Sequence, residues 1–380
     1  MKKALVVCHV GRHMRLFGHA DIRVLQSMGY EVHFASNFSL DIDKAEDHSV
    51  VLHQVDFSRS PLSLKNLTAL IQMIKLLKKE NYSLMHCQSP TGGVVSRLAA
   101  KIVGFKPVIY MAHGLPFYND VHNLQNSIIR LIERVCARWT DYIITINQED
   151  YETALKFKLR KGGQVFKTHG VGIDLNKFSV VSDDKKKDLR NKLGIPLDAF
   201  IIVCIGRLDR NKNQDLLIRA ISRLKDNISN ILLLLVGIDE REGELQRLVK
   251  ELGIYEHICF LGYRNDVPDL LSAADVLASV SFHEGLPANV MEGMASGLPL
   301  IVTNCRGNTD LVEDGETGLV VAVGDVEEMA AAMLRIYKNP NLAKQMRETG
   351  LEKIKEFSID IVQKEMKDIY KRIEAYNNCT

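Results

Sequence analysis

The sequence predicts an α/β protein built from two Rossmann-like, doubly wound domains, and three observations carry that expectation. Short apolar runs alternate with amphipathic stretches along nearly all 380 residues, the pattern of parallel sheets covered by helices on both faces. The alternation is interrupted once, around 175–200, by a charge-rich stretch rich in Asp and Lys. At roughly 150 residues per domain, the length fits two or three domains.

The elements follow in order. Residues 4–9 form an apolar run read as a strand; a loop with Gly11 follows, then an amphipathic helix over 16–28 that stops at Gly29. Residues 31–35 read as strand. Residues 64–79 read as helix, with apolar side chains at 64, 67, 70, 71, 74 and 77. Strands at 84–87, 108–112 and 142–146 alternate with helices at 94–103 and 127–138. The second series has strands at 201–205, 231–236, 258–261, 276–279, 299–303 and 318–321. Its helices are expected at 214–225, 243–252, 267–273, 289–296, 326–337 and 341–356. The domains are therefore placed at 1–178 and 179–357, with the final helix, 358–376, long enough to cross back onto the first. In open sheets of this kind ligands bind beyond the carboxyl ends of the strands, so two facing domains would hold a substrate in the cleft between them.

Composition narrows the function. Hydrophobic residues make up 46% and charged residues 25%, which excludes disorder and fibrous repeats. A net charge of +2 argues against a nucleic-acid partner. The charge is unevenly spread: residues 1–180 carry +8 and the remainder −6. Seven cysteines without a C-x-x-C pair indicate reduced thiols and a cytoplasmic protein. The N-terminal apolar run is too short for a signal peptide, and no segment has the roughly 18 apolar residues of a membrane span, so membrane contact would be peripheral.

Two motifs carry chemistry. Glu284-Gly285-Leu286-Pro287 follows a strand and opens a helix containing Glu292. Pro287 suits the first helical turn, and the unpaired N–H groups around Gly285 to Asn289 would form an anion site. Gly206-Arg207, with Lys212 five residues after the arginine, follows another strand. A forked guanidinium and an ammonium on one loop suit a diphosphate. Asp41-Ile42-Asp43 imitates a metal-binding D-x-D pair but lies in a polar stretch and reads as a turn, so no metal is predicted.

Two glutamates with seven residues between them, preceded by Gly206-Arg207-Leu208 and Lys212, resemble the retaining nucleotide-sugar glycosyltransferases of family 4, which have the GT-B fold. The resemblance extends through Met111-Ala112-His113-Gly114, Ile146-Asn147-Gln148-Glu149-Asp150, Gly170-Val171-Gly172-Ile173-Asp174 and Cys305-Arg306-Gly307-Asn308-Thr309-Asp310. It is strongest with the bacterial exopolysaccharide and capsular polysaccharide subgroup. It implies that Arg207 and Lys212 bind the donor diphosphate, Glu284 the sugar hydroxyls and Glu292 the ribose. Gly285, Leu286 and Pro287 would hold phosphate or sugar through their backbone. Arg264, in the Gly262-Tyr263-Arg264 turn, would lie by the uracil, Gly11 by the phosphates, and His113 near the reacting sugar. Catalytic roles are thus expected for His113, Glu284, Arg207 and Lys212. The chain departs from the family at Asn213, where glycine is frequent, and at Ile238-Asp239-Glu240, where the turn is usually glycine-rich.

The implied reaction moves a sugar from a nucleotide-sugar, such as UDP-GlcNAc, UDP-GalNAc or UDP-Glc, to a glycan or a polyprenyl-diphosphate-linked glycan, with retention and without metal or cofactor. Arg130, Arg134 and Arg138 recur every four residues, and Lys158 and Arg160 add a second cluster. These cations are expected to meet the acceptor or an anionic membrane surface on the cytoplasmic side; a solvated helix face is the alternative. A UDP-sugar 2-epimerase, a soluble sugar-acceptor transferase and a non-catalytic nucleotide-sugar-binding protein are the alternative functions.

Overall fold

The computed structural model describes residues 2–18, 20–40, 49–60, 63–119 and 121–379; Asp41-Ile42-Asp43, expected as a turn, lies outside them. The chain divides into two compact units, Met1–Gly172 with Ile359–Thr380, and Ile173–Ser358. The division falls at 172/173 rather than the expected 178/179. Ile173 donates its N–H to the Phe357 carbonyl at 2.8 Å, and Ile173 and Phe178 are both buried in the core of the second unit.

In the first unit, strands β1 (Lys2–Val10), β2 (Tyr30–Asn37), β3 (Val51–Gln54), β4 (Tyr82–Gln88), β5 (Val108–Ala112), β6 (Tyr142–Thr145) and β7 (Gln164–Lys167) form one sheet. The order is β3-β2-β1-β4-β5-β6-β7, and every pairing is parallel. The central strands are legible as apolar runs because both their faces are covered. The edge strands β3 and β7 are partly exposed along their length, so neither has a continuous apolar run, and both escape the sequence pattern.

The expected helix over 16–28 is two helices, α1 (Arg12–Phe17) and α2 (Ile22–Ser27). Asp21 starts the second by accepting the Ile22 N–H at 2.7 Å. The others are α3 (Asn66–Lys79), α4 (Pro90–Val103), α5 (Leu124–Ala137) and α6 (Gln148–Leu155). Helix α4 packs between α3 and α5. It can lie close to the sheet because a Cβ at Gly93 would fall 2.5 Å from the Tyr110 ring. Beneath α4, the fully buried Arg97 donates to Glu133 on α5 at 2.8 Å and to the Gly93 carbonyl at 2.9 Å, and its guanidinium stacks 3.9 Å from the Tyr110 ring.

The second unit opens with α7 (Asp183–Leu193), inside the stretch that sequence alone reads as an interruption. Its charges face water, but Leu189 and Arg190 are buried, and Arg190 donates to the carbonyls of Ala273, Leu197 and Ala199 and to Asp275. A six-stranded parallel sheet follows, comprising β8 (Phe200–Ile205), β9 (Ile231–Val236), β10 (Ile258–Gly262), β11 (Val276–Ser279), β12 (Leu300–Thr303) and β13 (Gly318–Val321). Its order is β10-β9-β8-β11-β12-β13. Helices α8 (Asp215–Leu224), α9 (Glu244–Leu252), α10 (Val267–Ala273), α11 (Ala288–Ala295), α12 (Asn308–Leu311), α13 (Val326–Lys338) and α14 (Pro340–Lys353) complete the unit. Two buried apolar clusters, one with α8 and α13 and the other with α10 and α11, share its core.

The last helix, α15 (Ile359–Cys379), belongs to the first unit. Val362, Met366, Ile369, Tyr370 and Ile373 form its buried stripe, at the spacing of one helical face. Tyr370 shares a 2.6 Å hydrogen bond with His86, and Tyr30 donates to Glu374 at 2.6 Å.

Candidate active site

In each sheet the strand order reverses direction at one point, where the crevice beyond the strand ends takes a ligand. In the second unit that point lies between β8 and β11, and both sequence motifs stand there. The loop after β8 carries Arg207 and Lys212; the loop after β11 carries Glu284. Asn211 stitches the loops together, its carbonyl accepting the Phe282 N–H at 2.8 Å and its amide donating to the His283 carbonyl at 3.0 Å. Within this frame Lys212 Nζ lies 2.5 Å from Glu284 Oε1, and Ser281 Oγ donates to the same oxygen at 2.6 Å. Both partners are mostly buried, with side-chain exposures of 20% and 12%.

The glycines here are required by close approach. A Cβ at Gly237 would lie 1.9 Å from the Gly206 carbonyl oxygen, and one at Gly307 would lie 2.6 Å from that of Gly285. Asn213, where the resemblance expects glycine, has φ +51°. The left-handed conformation is kept, and asparagine tolerates it better than other side chains.

Helix α11 begins immediately beyond Glu284. Pro287 is its N-cap rather than its first residue, and Asn289 ties the helix to β8 by donating to the Ile205 carbonyl at 2.9 Å. Gly285, Leu286 and Pro287 therefore lead directly into the positive end of the helix. Glu292 is largely buried one turn further on. Burial pushes its pKa up from 4.5 to about 7, with Lys177 acting against the shift. Between those values the folded chain retains a proton that the unfolded chain has lost, so stability falls as pH rises through that window. Glu292→Gln is expected to raise the thermal unfolding midpoint at pH 8 and leave it unchanged at pH 4; equal shifts at both would contradict the assignment.

Other expected cations are already engaged. Arg207 is exposed and pairs with Asp209 and Glu240, each at 3.0 Å; Glu240 belongs to the segment that replaces a glycine-rich turn. Arg264 is clasped by Asp266, with Nε 2.8 Å from Oδ1. In the first unit, Arg160 turns inward to the Phe105 carbonyl and Asp141, at 3.0 and 2.8 Å. Arg130 donates to the Tyr118 carbonyl at 2.9 Å and lies over the Phe117 ring. Neither Arg130 nor Arg160 belongs to an outward basic face, because a neighbouring carbonyl, carboxylate or ring satisfies each of them. Arg134, Arg138 and Lys158 are exposed.

In the first unit the order reverses between β1 and β4. Gly11 follows β1 with a helical φ of −64°, so its conformation does not demand glycine. At the end of β4, Ser89 has φ +63°, unusual for a side-chain-bearing residue, and its hydroxyl accepts the His9 N–H at 3.2 Å. Gly92, on the first turn of α4, lies where a Cβ would be 3.2 Å from His9 N and 3.3 Å from the Cys8 carbonyl carbon. This Ser89-Pro90-Thr91-Gly92-Gly93 turn is absent from the motifs above, although its paired glycines after an apolar strand were a usable signal.

His113 follows β5. Its Nε2 lies 2.8 Å from Gln88 Oε1, its ring stacks on Phe17 at 4.8 Å, and burial pushes its pKa down to about 4. It is therefore neutral near pH 7. The loop after it is fixed by Asp150, which accepts the Leu115 N–H at 2.8 Å while its own N–H donates to Asn147 at 2.8 Å. Among the described residues, no group of three or more His, Cys, Asp or Glu is placed to hold a metal ion, and no helix is long and apolar enough to cross a membrane.

Two families match the two halves: Glycosyl transferase 4-like over residues 6–147, and Glycosyl transferases group 1 over residues 185–353. The protein EpsD of Bacillus subtilis, assigned as a glycosyltransferase, is 35% identical over 97% of this chain and 96% of its own. The chain belongs to glycosyltransferase family 4. Another relative is the Escherichia coli UDP-Gal:alpha-D-GlcNAc-diphosphoundecaprenol alpha-1,3-galactosyltransferase. It is 29% identical over 81% of this chain and 80% of its own. The GT-B fold is shared with Anabaena HepE, solved with UDP and glucose, at a TM-score of 0.80, 18% identity and coverage of 98% and 100%. It is also shared with sucrose-phosphate synthase of Thermosynechococcus elongatus, at 0.81, 22% identity and coverage of 99% and 100%. Lys212 and Glu284, on which the family resemblance rests, stand at the point where the second sheet reverses its order.

Proposed function

We propose that this glycosyltransferase moves a hexosyl or N-acetylhexosaminyl group from a UDP-sugar to a lipid-linked glycan in bacterial surface polysaccharide assembly, with retention and without a metal. The observation that carries the reading is the Lys212–Glu284 pair beside the N-terminus of α11. Transfer breaks the bond from the anomeric carbon to the diphosphate and forms one to an acceptor hydroxyl oxygen, whose proton passes to the departing phosphate. Negative charge grows on the diphosphate, where Lys212, Arg207 and the helix N-terminus meet it. Arg207 has to exchange Glu240 for phosphate, an exchange that an exposed pair permits at little cost. Glu284 then orients the sugar, Glu292 the ribose and the turn at Arg264 the base, while the first unit binds the acceptor. The UDP-galactose donor and diphosphoundecaprenol-linked acceptor of the E. coli relative and the UDP held by HepE support this reading.

A panel of nucleotide sugars, read by thermal shift and by slow hydrolysis, tests the proposal. One UDP-sugar is expected to stabilise the chain and turn over, and both Arg207→Ala and Glu284→Ala are expected to weaken the response. Normal binding and turnover in both variants would sink the site. Conversion of the donor to its 2-epimer would identify the epimerase instead.

The outer face of the first unit adds a membrane contact to the proposal. On α5, Leu124, Ile128 and Leu131 are exposed, by 77%, 41% and 61%, and the exposed Arg134 and Arg138 follow them. On α3, Leu67 and Ile71 are exposed together with Lys75 and Lys78. Apolar stripes bordered by cations suit an anionic bilayer. Sedimentation with anionic vesicles at low salt is expected to carry the protein down, and Leu124→Glu with Leu131→Glu to release it; no sedimentation removes the membrane contact.

A further inference from the structure

The neutral imidazole of His113 can carry its proton on either nitrogen, and the choice decides whether it offers a ligand a donor or an acceptor. Two buried residues outside the family motifs bear on that choice: Asp21, 2% exposed, at the start of α2, and Gln88, 3% exposed, at the end of β4. Asp21 Oδ1 accepts the Ile22 N–H at 2.7 Å, and Asp21 Oδ2 accepts from Gln88 Nε2. Gln88 Oε1 lies 2.8 Å from His113 Nε2.

Each link constrains the next. Burial pushes Asp21 up only to about 6, so at pH 7.5 it is a carboxylate and accepts only. Gln88 therefore turns its NH2 toward Asp21 and its carbonyl oxygen toward His113. An amide oxygen cannot donate, so His113 Nε2 must carry the proton. The ring plane is held by the stack on Phe17, and Nδ1 makes no hydrogen bond to any described residue.

We infer that Asp21 and Gln88 are positioning residues that hold His113 as its Nε2–H tautomer, leaving Nδ1 to accept a hydrogen bond from a ligand hydroxyl. The ligand half of this inference rests on the reading of His113 as a site residue; the tautomer half stands on the three side chains alone.

The test uses the full chain labelled with 15N-histidine. Long-range 1H–15N correlations at pH 7.5 are expected to show His113 protonated at Nε2, and an Nδ1–H ring would overturn the inference. In Asp21→Asn, the new amide keeps its oxygen on the Ile22 N–H and presents its NH2 to Gln88. Gln88 must then turn over, and His113 is expected to switch to Nδ1–H. A folded Asp21→Asn protein with an unchanged tautomer overturns the relay. Should that variant not fold, Gln88→Leu serves: with the amide oxygen gone the Nε2–H form loses its acceptor, and a folded Gln88→Leu protein that stays entirely Nε2–H overturns the inference.

Activity is read separately. His113→Ala and Asp21→Asn are each expected to lower kcat/KM about tenfold, the scale of one hydrogen bond, and not additively, since they break one chain of contacts. Unchanged turnover in His113→Ala removes the ligand role of the histidine and leaves the tautomer assignment to the spectrum. The two failures are therefore distinguishable.

Discussion

Lys212→Ala is expected to lower kcat/KM for the nucleotide-sugar by about 10²- to 10³-fold, the scale of removing one preorganised group from a site where negative charge develops. The structure gives two reasons for so large an effect. Lys212 is held rather than mobile: its stem runs past Gly206, where a Cβ would lie 3.3 Å from the lysine Cε, and its ammonium is fixed on Glu284 at 2.5 Å. Little reorganisation is then needed as the diphosphate departs. The second reason is what remains. Without the ammonium, the Glu284 carboxylate keeps the Ser281 hydroxyl as its side-chain partner among the described residues, and its charge then repels the incoming diphosphate. Lys212→Ala combined with Glu284→Gln is accordingly expected to bind donor better than Lys212→Ala alone, although it transfers poorly. The pair thus couples donor binding to sugar orientation, and a double-mutant cycle on donor affinity measures that coupling. Strictly additive losses would mean that Lys212 and Glu284 act independently.

The same pair shows why much of this site is legible from sequence. Strand ends in a doubly wound sheet are fixed by the apolar runs, and polar residues in the loop after such a run stand near the rim where ligands bind. Glu284 after β11, Lys212 after β8 and His113 after β5 all obey that logic. Legibility fails where a side chain's partner is remote in sequence. Arg130, Arg134 and Arg138 have identical spacing, yet Arg130 alone finds the Tyr118 carbonyl and the Phe117 ring; periodicity reports a face, not what lies against it. Asp21 and Gln88 meet across 67 positions, and neither is part of a recognisable motif. Helix α7 escapes for the opposite reason: most of its side chains face water, so its apolar pattern is too thin to separate it from a linker.

Breaking the Arg97–Glu133 pair is expected to have the largest effect on stability. Arg97 is 0% exposed and Glu133 1%, so removing one charge strands the other without solvent; such losses cost about 3–5 kcal/mol. For a unit of this size each kcal/mol moves the unfolding midpoint by roughly 2–4 °C, which places Glu133→Leu about 10 °C below the parent in calorimetry of the full chain. Replacing both, as Arg97→Met with Glu133→Leu, is expected to recover most of that loss, because two well-packed apolar side chains can substitute for a buried pair. The consequence extends to the site. Arg97 stacks on Tyr110 of β5, the strand that His113 follows, and donates to the carbonyl of Gly93, at the end of the turn that follows Gln88. If the pair serves only packing, the double variant regains both stability and turnover. If it also holds β5 and α4 in register for the Asp21–Gln88–His113 chain, the double variant regains stability while the His113 ring signals remain shifted or doubled. A single variant that loses less than about 1 kcal/mol would contradict both, since the stranded charge would then have found water or a new partner.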